Sequence, residues 1–205
     1  MMGYLAIIFG AYLIGSSNMA FYLSKLKKKN IRGAGSGNLG ASNAVILLGW
    51  KAGVLVGLHD IGKGVLAVLL AKWLYPELEY AGAAAGVACV LGHIYPFYLK
   101  FKGGKGFASY LGMTIALNWK LALIVLALVV VVTLITDYIV AATATTVITV
   151  PIAMGILTGS VIVALILCVA TAVIIYKHRE NFVRIFQGTE IKFRSAAKGD
   201  HRMDG

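Results

Sequence analysis

The stretch KLALIVLALVVVVTLIT, residues 120–136, decides the fold of this chain. Lys120 is its only charged residue, and apart from two threonines every other residue is apolar. About 20 such residues cross the hydrocarbon core of a bilayer as one helix. The stretch therefore predicts a membrane-spanning helix.

The composition of the whole chain extends this prediction. Of the 205 residues, 60% are hydrophobic and 13% are charged, and the mean hydropathy is +0.85. A soluble domain is about 45–50% apolar and about 25% charged, so the chain is predicted to be an integral membrane protein. Helices are favoured over a transmembrane barrel, whose strands would alternate apolar and polar residues. The first apolar run lacks a preceding basic segment, which favours a first span over a removable signal peptide.

We predict an all-α, polytopic bundle of about seven transmembrane helices that forms a single membrane-embedded domain over residues 1–205. The fourth span is short for a full crossing, and the second is long enough to tilt. A polar tail is predicted at 191–205. The spans are placed at residues 3–23, 46–71, 80–98, 106–118, 120–136, 138–157 and 160–176.

Lysine and arginine residues predict the orientation of the bundle. With seven crossings, sixteen of them fall on one side, opposite Lys72 and Lys120, while Lys63 lies within the second span. Because cytoplasmic loops are enriched in these residues, the N-terminus is expected outside and the C-terminus in the cytoplasm. The sixteen are Lys25, Lys27, Lys28, Lys29, Arg32, Lys51, Lys100, Lys102, Lys105, Lys177, Arg179, Arg184, Lys192, Arg194, Lys198 and Arg202.

Several function classes lack support in the sequence. The formal charge of +11 is spread over three loops of a hydrophobic bundle, which argues against nucleic-acid binding and favours attraction to anionic membrane lipids or substrates. Cys89 and Cys168 lie in apolar runs and are predicted to be small core residues. The four histidines form no spaced pair, so no metal site and no cofactor are predicted. The sequence leaves protein partners open.

Loop 1, GAGSGNLGASN at residues 33–43, is rich in glycine, serine and asparagine. Its glycines allow positive φ, so successive N–H groups can converge on an anion. A plain flexible linker has the same composition, and the residues alone leave both interpretations open. Arg32 precedes the loop, whose neutral polar side chains are Ser36, Asn38, Ser42 and Asn43.

Loop 2, GHIYPFYLKFKGGKG at residues 92–106, combines backbone flexibility with positive charge. Glycine amides beside an ammonium group suit a phosphate. A nucleotide P-loop is disfavoured, because no Ser or Thr follows Lys105 and no strand precedes the loop. Pro96 is expected to end or kink the preceding helix. His93, at the end of that helix, is either structural or part of the site.

Segment 3, KHRENFVRIFQGTE at residues 177–190, follows the last predicted span. If the helix continues, His178 and Asn181 share one face, which Arg184 extends by a turn. An amphipathic helix lying on the lipid headgroups would explain the same pattern. Within the second span, Asp60 and Lys63 are three residues apart and can form a structural ion pair or contact a substrate.

The three segments together resemble the three motifs of the bacterial acyl-phosphate-dependent glycerol-3-phosphate acyltransferases. GSGNLGASN is similar to the first motif, loop 2 to the second and segment 3 to the third. The stretch YLIGSSN in the first span and the Asp60/Lys63 pair also match the family pattern, so the resemblance covers nearly the whole chain.

The resemblance implies an enzyme of phospholipid synthesis in the bacterial cytoplasmic membrane, with its site on the cytoplasmic face. The reaction would move a fatty acyl group from acyl phosphate to the 1-hydroxyl of sn-glycerol 3-phosphate and form lysophosphatidic acid. The expected catalytic residues are Ser36, Lys105, His178 and Asn181. The expected substrate-binding residues are Gly35, Gly37, Asn38, Gly40, Asn43, His93, Lys102, Gly103, Gly104, Gly106 and Arg184. Asp60, Lys63 and Glu190 are expected to be structural.

Two positions depart from the family pattern. Members carry an arginine where this chain has Ile46, and many carry a serine where it has Val140. Phosphate binding is then short of an arginine unless Arg32, Lys51 or Lys63 compensates. The alternative is therefore a diverged paralogue that binds phosphate or lipid without this reaction, or one that acts on another phosphorylated acceptor. A transporter is less well supported, because no internal repeat is visible.

Overall fold

The computed structural model describes residues 1–197, and all regular secondary structure within them is helical. The helices are α1 (Met2–Ser16), α2 (Met19–Leu26), α3 (Ala41–Leu48), α4 (Trp50–Leu74), α5 (Ala81–Ile94), α6 (Phe107–Leu117), α7 (Trp119–Thr136), α8 (Ile139–Thr158), α9 (Val161–Lys177), α10 (Arg179–Phe186) and α11 (Phe193–Ala197), with a 3-10 turn at Phe97–Leu99. Lys198, Arg202 and the rest of the predicted tail beyond residue 197 lie outside the described residues.

Five helical segments in the described part of the chain are long and apolar enough to cross a membrane. They are Met2–Leu26, Trp50–Leu74, Ala81–Leu99, Trp119–Thr136 and Ile139–Thr158. Helices α9 and α10 add a sixth crossing if their 48° bend is one broken span. Helix α6 has 11 residues, or about 16 Å of helix against a hydrocarbon core of about 30 Å. The all-helical membrane class is confirmed, whereas the seven crossings and the orientation stay predictions.

Two predicted helices are interrupted in the structure. The second predicted span began at residue 46, but residues 46–48 belong to α3, and Gly49 separates α3 from α4 with φ +91°. Glycine adopts this conformation without the steric penalty of a Cβ, so it ends α3 there. The last helix does not continue straight through segment 3, because it bends by 48° at His178.

The chain divides into two compact units, residues 1–119 and the residues from 120 onward. In the first, α1 packs on α5 and α4 packs on α5 and α6. Glycines permit close approach: a methyl group at Gly15 of α1 would overlap the backbone carbonyl of Cys89, and one at Gly112 of α6 would overlap that of Ile61. Small residues allow membrane helices to approach this closely. The predicted single domain stays a prediction.

Gly15→Leu is expected to destabilise the first unit. The leucine side chain would overlap the α5 backbone, and overpacking of this kind typically destabilises by about 1–3 kcal/mol. Gly10→Leu is the matched control, because no atom lies within 4 Å of a methyl group added at Gly10 on the same helix. Thermal unfolding in detergent should show a lower midpoint for Gly15→Leu alone. Equal midpoints for the two variants would contradict the close packing.

In the second unit, α8 packs on α9, and the Thr171 hydroxyl donates to the Val147 carbonyl at 2.7 Å. The backbone N–H of Arg194 in α11 donates to Asp137 Oδ1 at 3.0 Å, so the start of the predicted tail is held at the α7–α8 turn.

Cys89 is buried as predicted. The prediction for Cys168 was wrong, because its side chain lies on an exposed face of α9.

Candidate functional site

Loop 1 is anchored in the first unit by two apolar side chains. Ile31 precedes the loop, Leu39 lies within it, and each is 1% exposed in a cluster shared with α2, α3 and α4. Between them the backbone runs over the surface, where Gly35 and Gly37 have φ of +59° and +65°. These positive φ values are what the glycine content of the loop predicted. The anchors and turns give the loop a defined path.

Asn43 organises loop 1 from its buried end. Its Nδ2 donates to the carbonyl oxygens of Ile31 (3.0 Å), Ala34 (3.4 Å) and Asn38 (3.0 Å). Its Oδ1 accepts from the backbone N–H of Ser36 at 3.1 Å. The Asn43 side chain, expected to bind substrate, is thus occupied within the loop, and its geometry supports a positioning role. Ser36 lies on the exposed part of the loop that Asn43 holds.

Arg32 connects loop 1 to loop 2. Its Nη2 donates to the carbonyl oxygens of Leu99 (3.2 Å) and Lys102 (2.8 Å), and its guanidinium lies 6.0 Å from the centre of the Phe21 ring. No local sequence pattern indicates this link, because the hydrogen-bonded residues are 67 and 70 positions apart. Arg32 therefore fixes the distance between the two loops.

Loop 2 folds back onto the end of α5, which stops at Ile94, two residues before Pro96. The backbone N–H groups of Gly103 and Gly104 donate to the carbonyls of Ile94 (3.0 Å) and His93 (3.1 Å). Gly104 is buried, and a methyl group there would overlap Nε2 of His93. Packing against α5 therefore accounts for glycine at both positions, since a methyl group at Gly103 would overlap the His93 carbonyl oxygen.

The cationic side chains of loop 2 differ in exposure. Lys105 is half-buried, whereas Lys102 is exposed. Gly106, with φ +94°, precedes the first residue of α6. Lys105 therefore stands between the buried glycines and the start of a helix, where N–H groups and the helix dipole favour an anion.

The predicted pair of Asp60 and Lys63 is present in α4. Lys63 Nζ lies 3.0 Å from Asp60 Oδ1, and the side chains are 4% and 2% exposed. Lys63 also contacts His93 Nδ1 at 2.8 Å. The pair is therefore joined through His93 to the beginning of loop 2. Residues 1–119 thus bring loop 1, loop 2 and this buried pair together.

In the second unit, the Glu190 carboxylate organises segment 3. Its Oε1 accepts from Asn181 Nδ2 at 2.5 Å and its Oε2 accepts from Arg184 Nε at 2.6 Å. One carboxylate thus orients two polar side chains of α10, those of Asn181 and Arg184. The structure brings together three of the residues singled out in segment 3, and the structural role expected for Glu190 stays a prediction.

His178 lies at the bend between α9 and α10. It is 7% exposed, and its Nδ1 lies 2.8 Å from the carbonyl oxygen of Ile174. Because a carbonyl oxygen only accepts, Nδ1 carries a proton, so Nε2 is the acceptor whenever the ring is neutral. This geometry suits a group that takes up a proton.

Comparison with known proteins identifies the family to which this chain belongs. The family model described as "Glycerol-3-phosphate acyltransferase" matches residues 5–188. The chain belongs to this family. It is 40% identical over 184 residues to the glycerol-3-phosphate acyltransferase of Thermoanaerobacter pseudethanolicus, covering 89% of this chain and 91% of the relative. It is 36% identical over 191 residues to that of Geotalea daltonii, covering 93% and 97%.

A solved structure shares the fold of this family member. The crystal structure of PlsY (YgiH), an integral membrane glycerol 3-phosphate acyltransferase, in its glycerol 3-phosphate form has a TM-score of 0.88 and 35% sequence identity. The match covers 95% of this chain and 98% of that one. The lysophosphatidic acid form of PlsY has a TM-score of 0.83 at the same identity, covering 92% and 94%.

The two departures from the family pattern lie in different environments. Ile46 is 37% exposed on α3, whereas Val140 is 5% exposed in α8. Of the cations expected to compensate for the missing arginine, Arg32 binds backbone carbonyls and Lys63 is buried against Asp60.

Within residues 1–197, no group of three His, Cys, Asp or Glu side chains could hold a metal ion.

Proposed function

We propose that this family member transfers a fatty acyl group from acyl phosphate to the 1-hydroxyl of sn-glycerol 3-phosphate. The hydroxyl oxygen forms an ester bond with the acyl carbon, the bond from that carbon to the phosphate oxygen breaks, and inorganic phosphate leaves. The hydroxyl proton passes to a base, and the product is lysophosphatidic acid. The match of the family model to residues 5–188 carries this proposal.

The chemistry fits a site that binds anions more than one that supplies a strong acid. Phosphate is a good leaving group, so the reaction depends on positioning the substrates and on stabilising negative charge. Loop 2 supplies Lys105 beside backbone amides at a helix start. We assign phosphate binding to Lys105 and the N–H groups at the start of α6, with Lys102 at the exposed edge. The N–H groups of Gly103 and Gly104 already donate to the Ile94 and His93 carbonyls, so these two glycines shape the loop.

Loop 1 would orient phosphate or the developing oxyanion. Its exposed turn carries Ser36 and its half-buried part carries Asn38, and the backbone of Gly35, Gly37 and Gly40 shapes this turn. Asn43 holds the turn from inside. The proposed contribution of loop 1 therefore rests on neutral donors rather than charge.

Segment 3 would supply the proton acceptor and further polar contacts. Nδ1 of His178 is held by the Ile174 carbonyl, so in the neutral ring Nε2 is the acceptor, which supports its assignment as the general base over the role of a phosphate-holding donor. Asn181 and Arg184, both held by Glu190, are assigned to substrate binding and orientation. The location proposed for the reaction is the cytoplasmic face of the bacterial cytoplasmic membrane, where the soluble acceptor and the lipid-tailed donor are both accessible.

The donor assay tests the proposed function. Purified protein is incubated with glycerol 3-phosphate and, in turn, palmitoyl phosphate, palmitoyl-CoA or palmitoyl acyl carrier protein. We expect lysophosphatidic acid from palmitoyl phosphate alone. Well-folded protein that turns over no donor would refute the proposal and favour the paralogue that binds phosphate or lipid, for which the substitution at Ile46 is the supporting observation.

A further inference from the structure

The ammonium group of Lys63 has its hydrogen-bonding capacity fully used inside the first unit. An ammonium group has three N–H donors and no acceptor. Nζ lies 3.0 Å from Asp60 Oδ1, 2.7 Å from the carbonyl oxygen of Ser17 and 2.8 Å from His93 Nδ1. Because the Lys63 side chain is only 4% exposed, these three protein acceptors replace water.

These contacts determine which nitrogen of His93 carries the proton. Lys63 can only donate, so Nδ1 of His93 accepts and the proton of the neutral ring is on Nε2. Asp60 Oδ1 lies 3.3 Å from the same Nδ1, and the ammonium that both atoms contact offsets their repulsion. Lys63 thus fixes both the position and the tautomer of the His93 ring.

A second set of contacts holds the carboxylate of Asp60. His59 Nδ1 lies 3.4 Å from Asp60 Oδ1, and His59 Nε2 lies 3.1 Å from Ser17 Oγ. The Tyr22 hydroxyl donates to Ser17 Oγ at 3.4 Å, and the Tyr98 hydroxyl donates to that of Tyr22 at 3.2 Å. Since an ionised carboxylate only accepts, Nδ1 of His59 donates, and every donor in this series has an acceptor.

The opposite edge of the His93 ring packs on loop 2. A methyl group at Gly104 would overlap Nε2, Cε1 and Cδ2 of His93 in turn, the nearest being Nε2. The backbone N–H of Gly104 donates to the His93 carbonyl at 3.1 Å. A displacement of His93 would therefore displace Gly104 and, one residue later, Lys105.

We propose that Lys63, paired with Asp60, is a positioning residue for loop 2: it holds His93 against Gly104 and so sets the place of Lys105. This role rests on the proposed function in so far as Lys105 binds a substrate phosphate. It goes beyond the structural ion pair that the sequence indicates, because it connects α4 to substrate binding.

The energetics of buried ion pairs favour a positioning role for Asp60 and Lys63 over a purely stabilising one. Replacing a buried ion pair with apolar residues of similar volume is often neutral or stabilising, because the desolvation penalty offsets the attraction between the charges. If the pair had only a stabilising role, apolar residues could therefore replace it without a loss of stability. The geometry gives this pair a further role, since a fixed ammonium orients His93.

The kinetic test uses the neutral double variant Asp60→Asn/Lys63→Met, because Lys63→Met alone leaves a buried, unpaired carboxylate that can prevent folding. We expect the KM for the substrate whose KM rises in Lys105→Ala to rise at least about tenfold, with kcat changing by less than about threefold. Lys72→Met is the control: it removes a lysine of the same helix that donates to the Ala116 carbonyl at 3.0 Å. It should leave both constants unchanged.

Combining the double variant with Lys105→Ala separates positioning from general damage. If Lys63 acts through Lys105, its replacement should change KM by less than about twofold once Lys105 is gone, since the two effects share one interaction. If the KM increases caused by Asp60→Asn/Lys63→Met and by Lys105→Ala instead multiplied in the triple variant, the proposal would be overturned. An unchanged KM with a kcat that falls in proportion to the folded fraction would also overturn it.

Hydrogen exchange tests the inference without turnover. In Asp60→Asn/Lys63→Met, the amides of Gly103 and Gly104 should exchange at least about tenfold faster, while those of α8 and α9 keep their wild-type rates. Unchanged rates in loop 2, or faster exchange throughout the chain, would overturn the proposal. If wild-type protein lacked activity with every donor, the proposed function would fail, and the exchange result would still decide the role of Lys63.

Discussion

Lys105→Ala is expected to lower kcat/KM by about 100-fold, mainly through a higher KM for a phosphorylated substrate. Hydrogen bonds from a charged donor contribute about 1.5–3 kcal/mol, and each 1.36 kcal/mol is a factor of ten. Alanine removes the ammonium but leaves the backbone bonds of Gly103 and Gly104 in place. Steady-state kinetics with each substrate varied in turn measures the change and identifies which substrate Lys105 binds.

Lys100→Asn is the matched control for this prediction. Both variants remove one positive charge from loop 2, but Lys100 is exposed and has φ +55°, a conformation that asparagine tolerates well. We expect its kcat/KM to fall by less than about threefold, with an effect that disappears as salt screens it. Equal losses in the two variants would mean that the loop attracts anions only through its overall charge.

Local patterns in the sequence were sufficient for the helical membrane class and for several details of the site. The apolar run at 121–136 lies within α7, and α5 ends close to Pro96 as expected. Glycine content predicted positive φ in loop 1, which Gly35 and Gly37 adopt. These features depend on neighbouring residues, so the sequence carries them directly.

Contacts between distant residues could not be predicted in the same way. Arg32 reaches Leu99 and Lys102 across about 70 positions, and Lys63 meets the Ser17 carbonyl across 46. Hydropathy also failed at Gly49, because the apolar residues on both sides conceal a break that depends on backbone conformation. Such long-range contacts decide whether a polar side chain is available to a substrate or holds another segment in place, as Arg32 and Lys63 illustrate.

His178→Asn is expected to lower kcat by about 100-fold to 1,000-fold while KM changes by less than about threefold. Asparagine can keep the hydrogen bond to the Ile174 carbonyl, which His178 makes through Nδ1 at 2.8 Å, but it has no group that can accept the proton at Nε2. General base catalysis contributes about 10²–10⁴-fold. His178→Ala, which also loses the helix-end bond, should reach a similar kcat but unfold at a lower temperature.

His178→Gln distinguishes a base from a group that holds phosphate. Its amide can donate from about the place of Nε2, yet it cannot take up a proton at neutral pH. Because Nδ1 of His178 is the protonated nitrogen, Nε2 is an acceptor in the neutral ring, and we expect glutamine to be as inactive as asparagine. Recovery of more than about a tenth of the wild-type kcat in His178→Gln would instead show that His178 serves as a donor to phosphate, and the substrate phosphate itself would then be the group that accepts the hydroxyl proton.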